Sequence, residues 1–169
     1  TWGTVLSEAT LREARGRMSR PLGRYLEEFA LGDEFTSPAR TVTETDVTLF
    51  AGLSGDYNPL HTDAEFAKET PYGQRIAHGL LGLSIASGLA ARAGFIEGTA
   101  LAFTGLSWKF KEPILFGDTI YSVSRVIKTR SLPSMGGGMV VFAVTVINQR
   151  GVIAQEGEWT LLVKSQPNA

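Results

Sequence analysis

The chain has 169 residues, of which 43% are hydrophobic and 20% charged, as expected for one globular domain with a substantial core. Sixteen basic and seventeen acidic residues give a net charge of −1, so no basic excess is available for binding nucleic acid. The absence of cysteine excludes disulfides, a thiol nucleophile and thiolate metal sites, and it fits a cytoplasmic location.

The first part of the chain shows little regular patterning. Residues 7–17 are rich in Arg and Glu and predict a short exposed helix that Ser7 can cap. A stretch containing Gly and Pro follows and ends this helix. We therefore predict an N-terminal appendage over residues 1–30, a folded domain over residues 31–165 and a C-terminal tail over residues 166–169.

The first elements of the domain are short. Residues 35–42 predict a strand that Pro38 interrupts, which favours a position at a sheet edge. Thr43 and Asp46 have the spacing of a capping box and predict a helix over residues 44–53.

A second capping signal follows that helix. Asn58 is a favourable N-cap residue, and Pro59 occupies the first helical position, where its missing N–H costs nothing. The predicted helix continues through Phe66.

Residues 78–93 (HGLLGLSIASGLAARA) are apolar or small nearly all round. A helix without a polar face is normally buried on all sides, and the small residues let neighbouring backbones approach closely. Ser84, Ser87 and Arg92 interrupt the stretch, which is too short to cross a bilayer. It therefore predicts a buried central helix, and we expect no membrane partner.

Four strands are predicted after this helix, over residues 101–110, 119–128, 139–147 and 152–163. The Gly-rich residues 131–138 predict a flexible loop. Consecutive strands joined by short connections form an antiparallel meander. The predicted fold class is α+β, a curved antiparallel sheet wrapped around one long buried central helix.

The residues that carry chemistry gather in the run GDYNPLH, residues 55–61. Asp56 precedes the helix cap and His61 lies in the first helical turn, so both side chains can point into one cleft. The positive end of the helix dipole disfavours a charged imidazole and favours an ionised carboxylate. A carboxylate and a neutral imidazole that face one water can orient it and take its proton.

The same run has a purely structural interpretation of comparable weight, because Gly-Asp and Asn-Pro are ordinary turn and cap residues. A metal site formed by Asp56, His61 and Asp63 is a further alternative. We disfavour it because only one histidine is close and no thiol is available. We predict no metal.

The start of the predicted central helix is a second candidate. The Gly79 N–H would be unpaired there, and one well-aimed donor stabilises an oxyanion by about 3 kcal/mol. Alternatively, Gly79 only permits tight packing and His78 is a buried polar residue with satisfied hydrogen bonds. Ser84 either reaches a ligand or bonds back to its own helix, and for an isolated serine the second is the default.

Three ordered motifs resemble those of MaoC-like dehydratases and R-specific enoyl-CoA hydratases. They are FAGLSGDYNPLH at residues 50–61, TPYGQRIAHGLL at residues 70–81 and FKEPILFGDTI at residues 110–120. The resemblance covers roughly residues 30–164, and three motifs in order are far more specific than one. It implies the hot-dog fold, in agreement with the wrapped helix.

The resemblance also implies roles for single residues. Asp56 and His61 match the catalytic pair of the family, and Gly79 matches the glycine whose N–H binds the thioester oxygen. Four further residues are predicted to bind substrate: Tyr57, Asn58 and Leu80 of the motifs, and Ser84, which matches a serine that the family places near the active site.

The implied reaction is reversible addition of water to a trans-2-enoyl thioester, giving a (3R)-hydroxyacyl thioester. It needs no cofactor beyond the CoA or acyl-carrier protein of the substrate, and the family's site implies a homodimer or higher homo-oligomer. A non-catalytic acyl-thioester binding module and an acyl-CoA thioesterase remain alternatives on this fold. Arg75, Lys109 and Lys111 are candidates for phosphate contacts, but solvated surface charge is favoured for each.

Overall fold

Six strands form one antiparallel sheet in the computed structural model, which describes residues 7, 8 and 22–167. The strands are β1 (Glu34–Thr36), β2 (Arg40–Thr41), β3 (Ala100–Phe110), β4 (Thr119–Leu132), β5 (Gly137–Asn148) and β6 (Ile153–Lys164). Their order is β1-β4-β5-β6-β3, and β2 pairs with β4 beside β1. The four predicted strands after the central helix are confirmed, as is the edge position of the interrupted strand.

The simple meander is wrong at one connection, because β3 pairs with β6 and not with β4. The chain leaves β3 through residues 111–118, where the Ala77 N–H donates to the Ile114 carbonyl at 2.9 Å. A single antiparallel bridge also joins Ile76 to Leu115. These contacts hold the connection against the residues that precede the central helix. It runs from β3 at the edge of the sheet to β4, and β5 and β6 lie between those two strands.

The helices are α1 (Glu44–Ser54), α2 (Pro59–Thr62), α3 (Ala64–Lys68) and α4 (Gly79–Arg92), and single 3-10 turns occur at Leu26–Glu28 and Pro133–Met135. Among the described residues, no helix is long and apolar enough to cross a membrane.

Helix α4 packs its inner face against the sheet. Leu81, Ile85 and Leu89 belong to one core cluster with residues of β4, β5 and β6. The predicted burial on all sides is wrong for this chain, because Ser84 and Ser87 on the outer face are exposed. Small and weakly polar residues are found both in the core and at the surface, so their low polarity alone could not show that the outer face of α4 is exposed.

The core also receives residues from before the predicted domain boundary. Leu26 and Phe29 are buried, and the Phe29 ring lies edge-on to Phe142 with centroids 5.7 Å apart. The helix predicted over residues 7–17 lies largely outside the described residues, so the N-terminal appendage stays a prediction.

Local capping positions the helices that precede the site. Thr43 and Asp46 form the predicted capping box of α1. Asn58 caps α2, with Pro59 at its first position, as predicted. The helix predicted to run through Phe66 is instead broken at Asp63, whose side chain accepts the N–H groups of the next turn and so starts α3.

The predicted flexible loop at residues 131–138 is wrong. Strands β4 and β5 continue through it as a paired ladder, with Ser131 opposite Gly138 and Leu132 opposite Gly137. A single 3-10 turn closes the hairpin, and Gly136 ends it with a φ of 66°, a conformation that glycine adopts without strain. The glycines are therefore turn and close-packing residues of a hairpin.

Candidate active site

The loop between α1 and α2 places Asp56. Gly55 ends α1 in the left-handed conformation with a φ of 77°, so the chain turns sharply there. The Asn58 N–H donates to Asp56 Oδ1 at 3.2 Å, and the Leu60 N–H donates to Asn58 Oδ1 at 3.0 Å. The structural interpretation of this run as turn and cap is thus confirmed, and it leaves most of the exposed Asp56 carboxylate free.

His61 is fixed by the backbone carbonyl of Ile76, which lies 15 positions further along the chain. Its Nδ1 lies 2.8 Å from the Ile76 oxygen. Because a carbonyl only accepts, Nδ1 carries the hydrogen and Nε2 of the neutral ring keeps its lone pair. Helix α2 is only one turn long and His61 lies in its last turn, so a helix dipole has little effect on this ring. The hydrogen bond to Ile76 instead determines that Nε2 is the proton acceptor.

His78 is buried beside both residues, with 2% of its surface exposed. Its Nε2–H donates to the backbone carbonyl of Asp56 at 2.9 Å, and its ring centroid lies 3.8 Å from that of His61. Its Nδ1 has no partner among the described residues. His78 is therefore buried and hydrogen-bonded through one of its two ring nitrogens, and its contact with both residues is what the sequence analysis missed.

A carboxylate oxygen of Asp56 and one ring nitrogen each of His61 and His78 all lie within 4.8 Å of one another. One water can bridge acceptors at such a separation, because each hydrogen bond spans about 2.8 Å. The same ligand types suit a divalent transition metal, although each imidazole already donates one N–H to a carbonyl. Asp63, the third ligand of the metal alternative, instead caps α3.

A cavity of about 500 Å³ opens beside His61. Gly79, Leu80 and Phe110 line its wall, and Ile114 lies among the residues of its buried side. Gly79 is the first residue of α4, and its N–H finds no acceptor among the described residues. The cavity therefore combines a free backbone donor with a largely apolar lining.

The predicted site residues fall into two groups. His61, Gly79 and Leu80 line this cavity, whereas Asp56, Tyr57 and Asn58 lie exposed on the loop outside its lining. Asp56 lies beside the cavity, because its carboxylate is within 4.8 Å of a ring nitrogen of His61, which lines it.

Ser84 lies apart from this cavity. Its Oγ donates to the Leu80 carbonyl at 2.8 Å, the helix back-bond expected by default. It lines a separate cavity of about 320 Å³ on the outer side of α4.

Gln155 is a cavity residue that the sequence analysis did not find. It lies on β6, is 2% exposed, and its Nε2 donates to the Gly79 carbonyl at 3.0 Å. Its Oε1 accepts from the Trp108 indole N–H at 3.1 Å. The available signal was a polar amide in the same alternating phase of the strand as the apolar Trp159, Leu161 and Val163.

A family model and two proteins of known activity resemble this chain. Residues 28–145 match the family described as MaoC like domain. An (R)-specific enoyl-CoA hydratase of Rhodospirillum rubrum is 34% identical over 142 residues, which cover 84% of this chain and 93% of that protein. An (R)-specific enoyl-CoA hydratase of Aeromonas caviae is 33% identical over 113 residues, covering 67% and 80%.

Several solved structures are also similar to this chain. The monoamine oxidase regulatory protein of Archaeoglobus fulgius superposes with a TM-score of 0.80 at 36% identity, covering 86% of this chain and 97% of that one. The R-hydratase PhaJ1 of Pseudomonas aeruginosa gives 0.71 at 29%, covering 84% and 86%. A Mycobacterium tuberculosis protein with a double hotdog fold gives 0.72 at 20%, covering 88% and 46%, and confirms the hot-dog fold.

Proposed function

Since this chain belongs to the MaoC-like dehydratase family and is a hydro-lyase, we propose that it adds water reversibly to a trans-2-enoyl thioester, giving a (3R)-hydroxyacyl thioester. The observation that carries the proposal is the gathering of Asp56 and His61 within 4.8 Å, next to a cavity wall with the free Gly79 N–H. The R configuration and the thioester follow the named activities of two relatives.

The proposed chemistry divides the work between the two side chains. His61 Nε2 takes a proton from the bound water while the water oxygen bonds to the β-carbon. The Asp56 carboxylate accepts a hydrogen bond from the second O–H of this water, which stays on the oxygen as the product hydroxyl, and so holds the water in line. The imidazolium then returns the proton to the α-carbon, so one water is added overall and elimination is the same path reversed. Acid–base help of this kind contributes roughly 10²–10⁴ in rate.

The backbone N–H of Gly79 is the proposed hydrogen-bond donor to the thioester oxygen. As water attacks, the alkene electrons move towards the thioester oxygen, which gains negative charge. A backbone N–H at the start of α4 is a fixed donor, aided by the positive end of a 14-residue helix. We place the thioester oxygen at this N–H and the acyl chain along the apolar lining. Leu80 contacts the chain, while Tyr57, Asn58 and Ser84 contact substrate from outside this cavity.

The carrier and assembly are part of the proposal. A CoA or acyl-carrier thioester enters without a further cofactor, and the protein acts in the cytoplasm as a homodimer or higher homo-oligomer. The sheet ends at β3, which leaves a strand edge unpaired among the described residues. This strand carries four exposed large apolar side chains: Leu101, Phe103, Leu106 and Phe110. Such an edge suits pairing with a second copy.

A direct assay tests the reaction. Crotonyl-CoA is mixed with the protein, and loss of the conjugated enoyl absorbance is followed together with the configuration of the product. Asp56→Asn and His61→Ala should each lower turnover by at least about 10²-fold while the fold is retained. Asp63→Asn is the matched control, because asparagine also caps a helix and Asp63 lies on the next turn.

Other outcomes decide for the alternatives. Free thiol release without hydration would identify a thioesterase. Acyl-CoA binding with no turnover on any enoyl thioester would identify a binding module. Wild-type rates in both site variants would refute the roles of Asp56 and His61.

A further inference from the structure

We infer that Gln155 is a positioning residue that fixes the start of α4 and so aims the backbone donor of Gly79 into the cavity. The inference rests on the proposed function and adds a residue to that site which the family motifs do not contain. Gln155 lies on β6, far along the chain from both of its partners.

The two hydrogen bonds define how the amide is turned. The Trp108 indole N–H can only donate, so the atom facing it at 3.1 Å is the amide oxygen. The Gly79 carbonyl can only accept, so the atom facing it at 3.0 Å is the amide nitrogen. Each partner independently requires the same orientation. Gln155 therefore ties β3 to the first residue of α4 through one rigid planar group.

The packing around the amide shows that the helix is shaped to receive it. Gly82 lies inside α4 and is buried, although glycine is unfavourable in a helix interior. A Cβ at this position would overlap Gln155 Nε2 and would lie 2.6 Å from Ile114 Cδ1. A side chain at position 82 would therefore have to displace the Gln155 amide or the end of Ile114, and glycine leaves the amide in place.

The consequence concerns the donors at the helix start. The first N–H groups of α4 have no helical acceptor, and the direction in which they point depends on how the first turn is held. His78 makes no side-chain cap for this helix. The amide of Gln155 supplies a fixed contact from the sheet, and by bonding the Gly79 carbonyl it also polarises the peptide group that ends in the Leu80 N–H.

The test uses the full chain and removes only the amide. Gln155→Met keeps an unbranched side chain of similar length but has no donor, and its thioether is only a weak acceptor. We expect kcat on crotonyl-CoA to fall by about ten-fold or more, below the 10²–10³ expected for loss of an oxyanion donor itself. KM should change less, because the acyl lining is retained.

Two further readouts separate positioning from general damage. Butyryl-CoA labelled with ¹³C at the carbonyl cannot be hydrated, and its carbonyl resonance should move downfield in the wild type and less so in Gln155→Met. The ¹⁵N–¹H resonances of Gly79 and Leu80 should shift between the two proteins. Gln149→Leu is the matched control, since this amide also bridges two partners, Thr119 and Asp118, outside the cavity.

Gln155→Met leaves the Trp108 N–H without its partner, so the double variant Gln155→Met/Trp108→Phe removes both and serves if the single variant does not fold. Unchanged kcat, unchanged carbonyl shift and unchanged Gly79 resonance in a folded variant would overturn the inference. A wild type without hydratase activity would refute the proposed function alone, because the amide resonances of Gly79 would still decide the role of Gln155.

Discussion

The imidazole rings of His61 and His78 lie with their centroids 3.8 Å apart, and the second ring is buried. The His78 Nε2–H also bonds the carbonyl of Asp56. One ring thus contacts both residues of the proposed pair, and its backbone immediately precedes Gly79 at the start of α4. Two of the three motifs that carry the family resemblance, residues 50–61 and 70–81, are thus joined in space through this side chain.

Removing the N–H donor of His78 should therefore impair catalysis by Asp56 and His61, even when a side chain of similar size fills its place. His78→Phe keeps an aromatic ring beside His61 but loses the bond to Asp56. A net hydrogen bond is worth about 0.5–1.5 kcal/mol, so we expect kcat to fall by up to roughly ten-fold. His78→Gln keeps an N–H donor and should recover part of the loss. Equal kcat values in both variants and the wild type would show that the bond is unimportant.

Asp56 and His61 should act as one unit because they are proposed to hold the same water. Asp56→Asn and His61→Ala are each expected to lower kcat by about 10²–10⁴. The double variant should be little slower than the slower single variant, as for groups that share one step. Measured kcat values that multiply would mean that the two side chains act on different steps.

The absence of a side chain at Gly79 protects the position of Phe110. A Cβ at Gly79 would lie 2.8 Å from Phe110 Cε1, so Gly79→Ala must push the ring aside. We expect kcat/KM on crotonyl-CoA to fall by roughly ten-fold, in the 1–3 kcal/mol range of overpacking. Gly79→Ala/Phe110→Leu should regain most of the loss. No recovery in the double variant would place the damage in the backbone and not in the ring.

What could be predicted from the sequence was local. The caps at Thr43 and Asn58 depend on residues two or three positions away, and both are confirmed. The strands depend on a repeat of two residues and are also confirmed. The glycines of residues 131–138 were misleading, because glycine serves equally in a loop, a tight turn or a site of close backbone approach.

What could not be predicted depends on pairs that are distant along the chain. The pairing of β3 with β6 places Phe110 opposite Gln155, and no local pattern fixes that register. The bond from Gln155 to Gly79 joins residues 76 positions apart. The tautomer of His61 likewise depends on Ile76, which lies 15 positions further on. These contacts form only when the sheet closes over α4.

The stability of the fold at low pH should depend on Asp118, which is buried with 3% of its side chain exposed. Burial alone would raise its pKa, but hydrogen bonds from Gln149, the Leu115 N–H and Arg150, with the Arg150 charge, hold the pKa below its ordinary value. The unfolded chain then binds the proton more tightly, so this contribution is present above about pH 4 and is lost as pH falls towards the folded pKa.

Asp118→Asn should therefore lower the free energy of unfolding by about 1–3 kcal/mol at pH 7, because a buried charged hydrogen-bond acceptor is replaced. The difference from the wild type should shrink as the pH falls below about 4, which urea unfolding at several pH values measures. Glu34→Gln is the control, since Glu34 and Arg125 form an exposed pair at 3.8 Å that should contribute little. A difference that stays constant down to acid pH would mean that packing, and not the charge of Asp118, carries its effect.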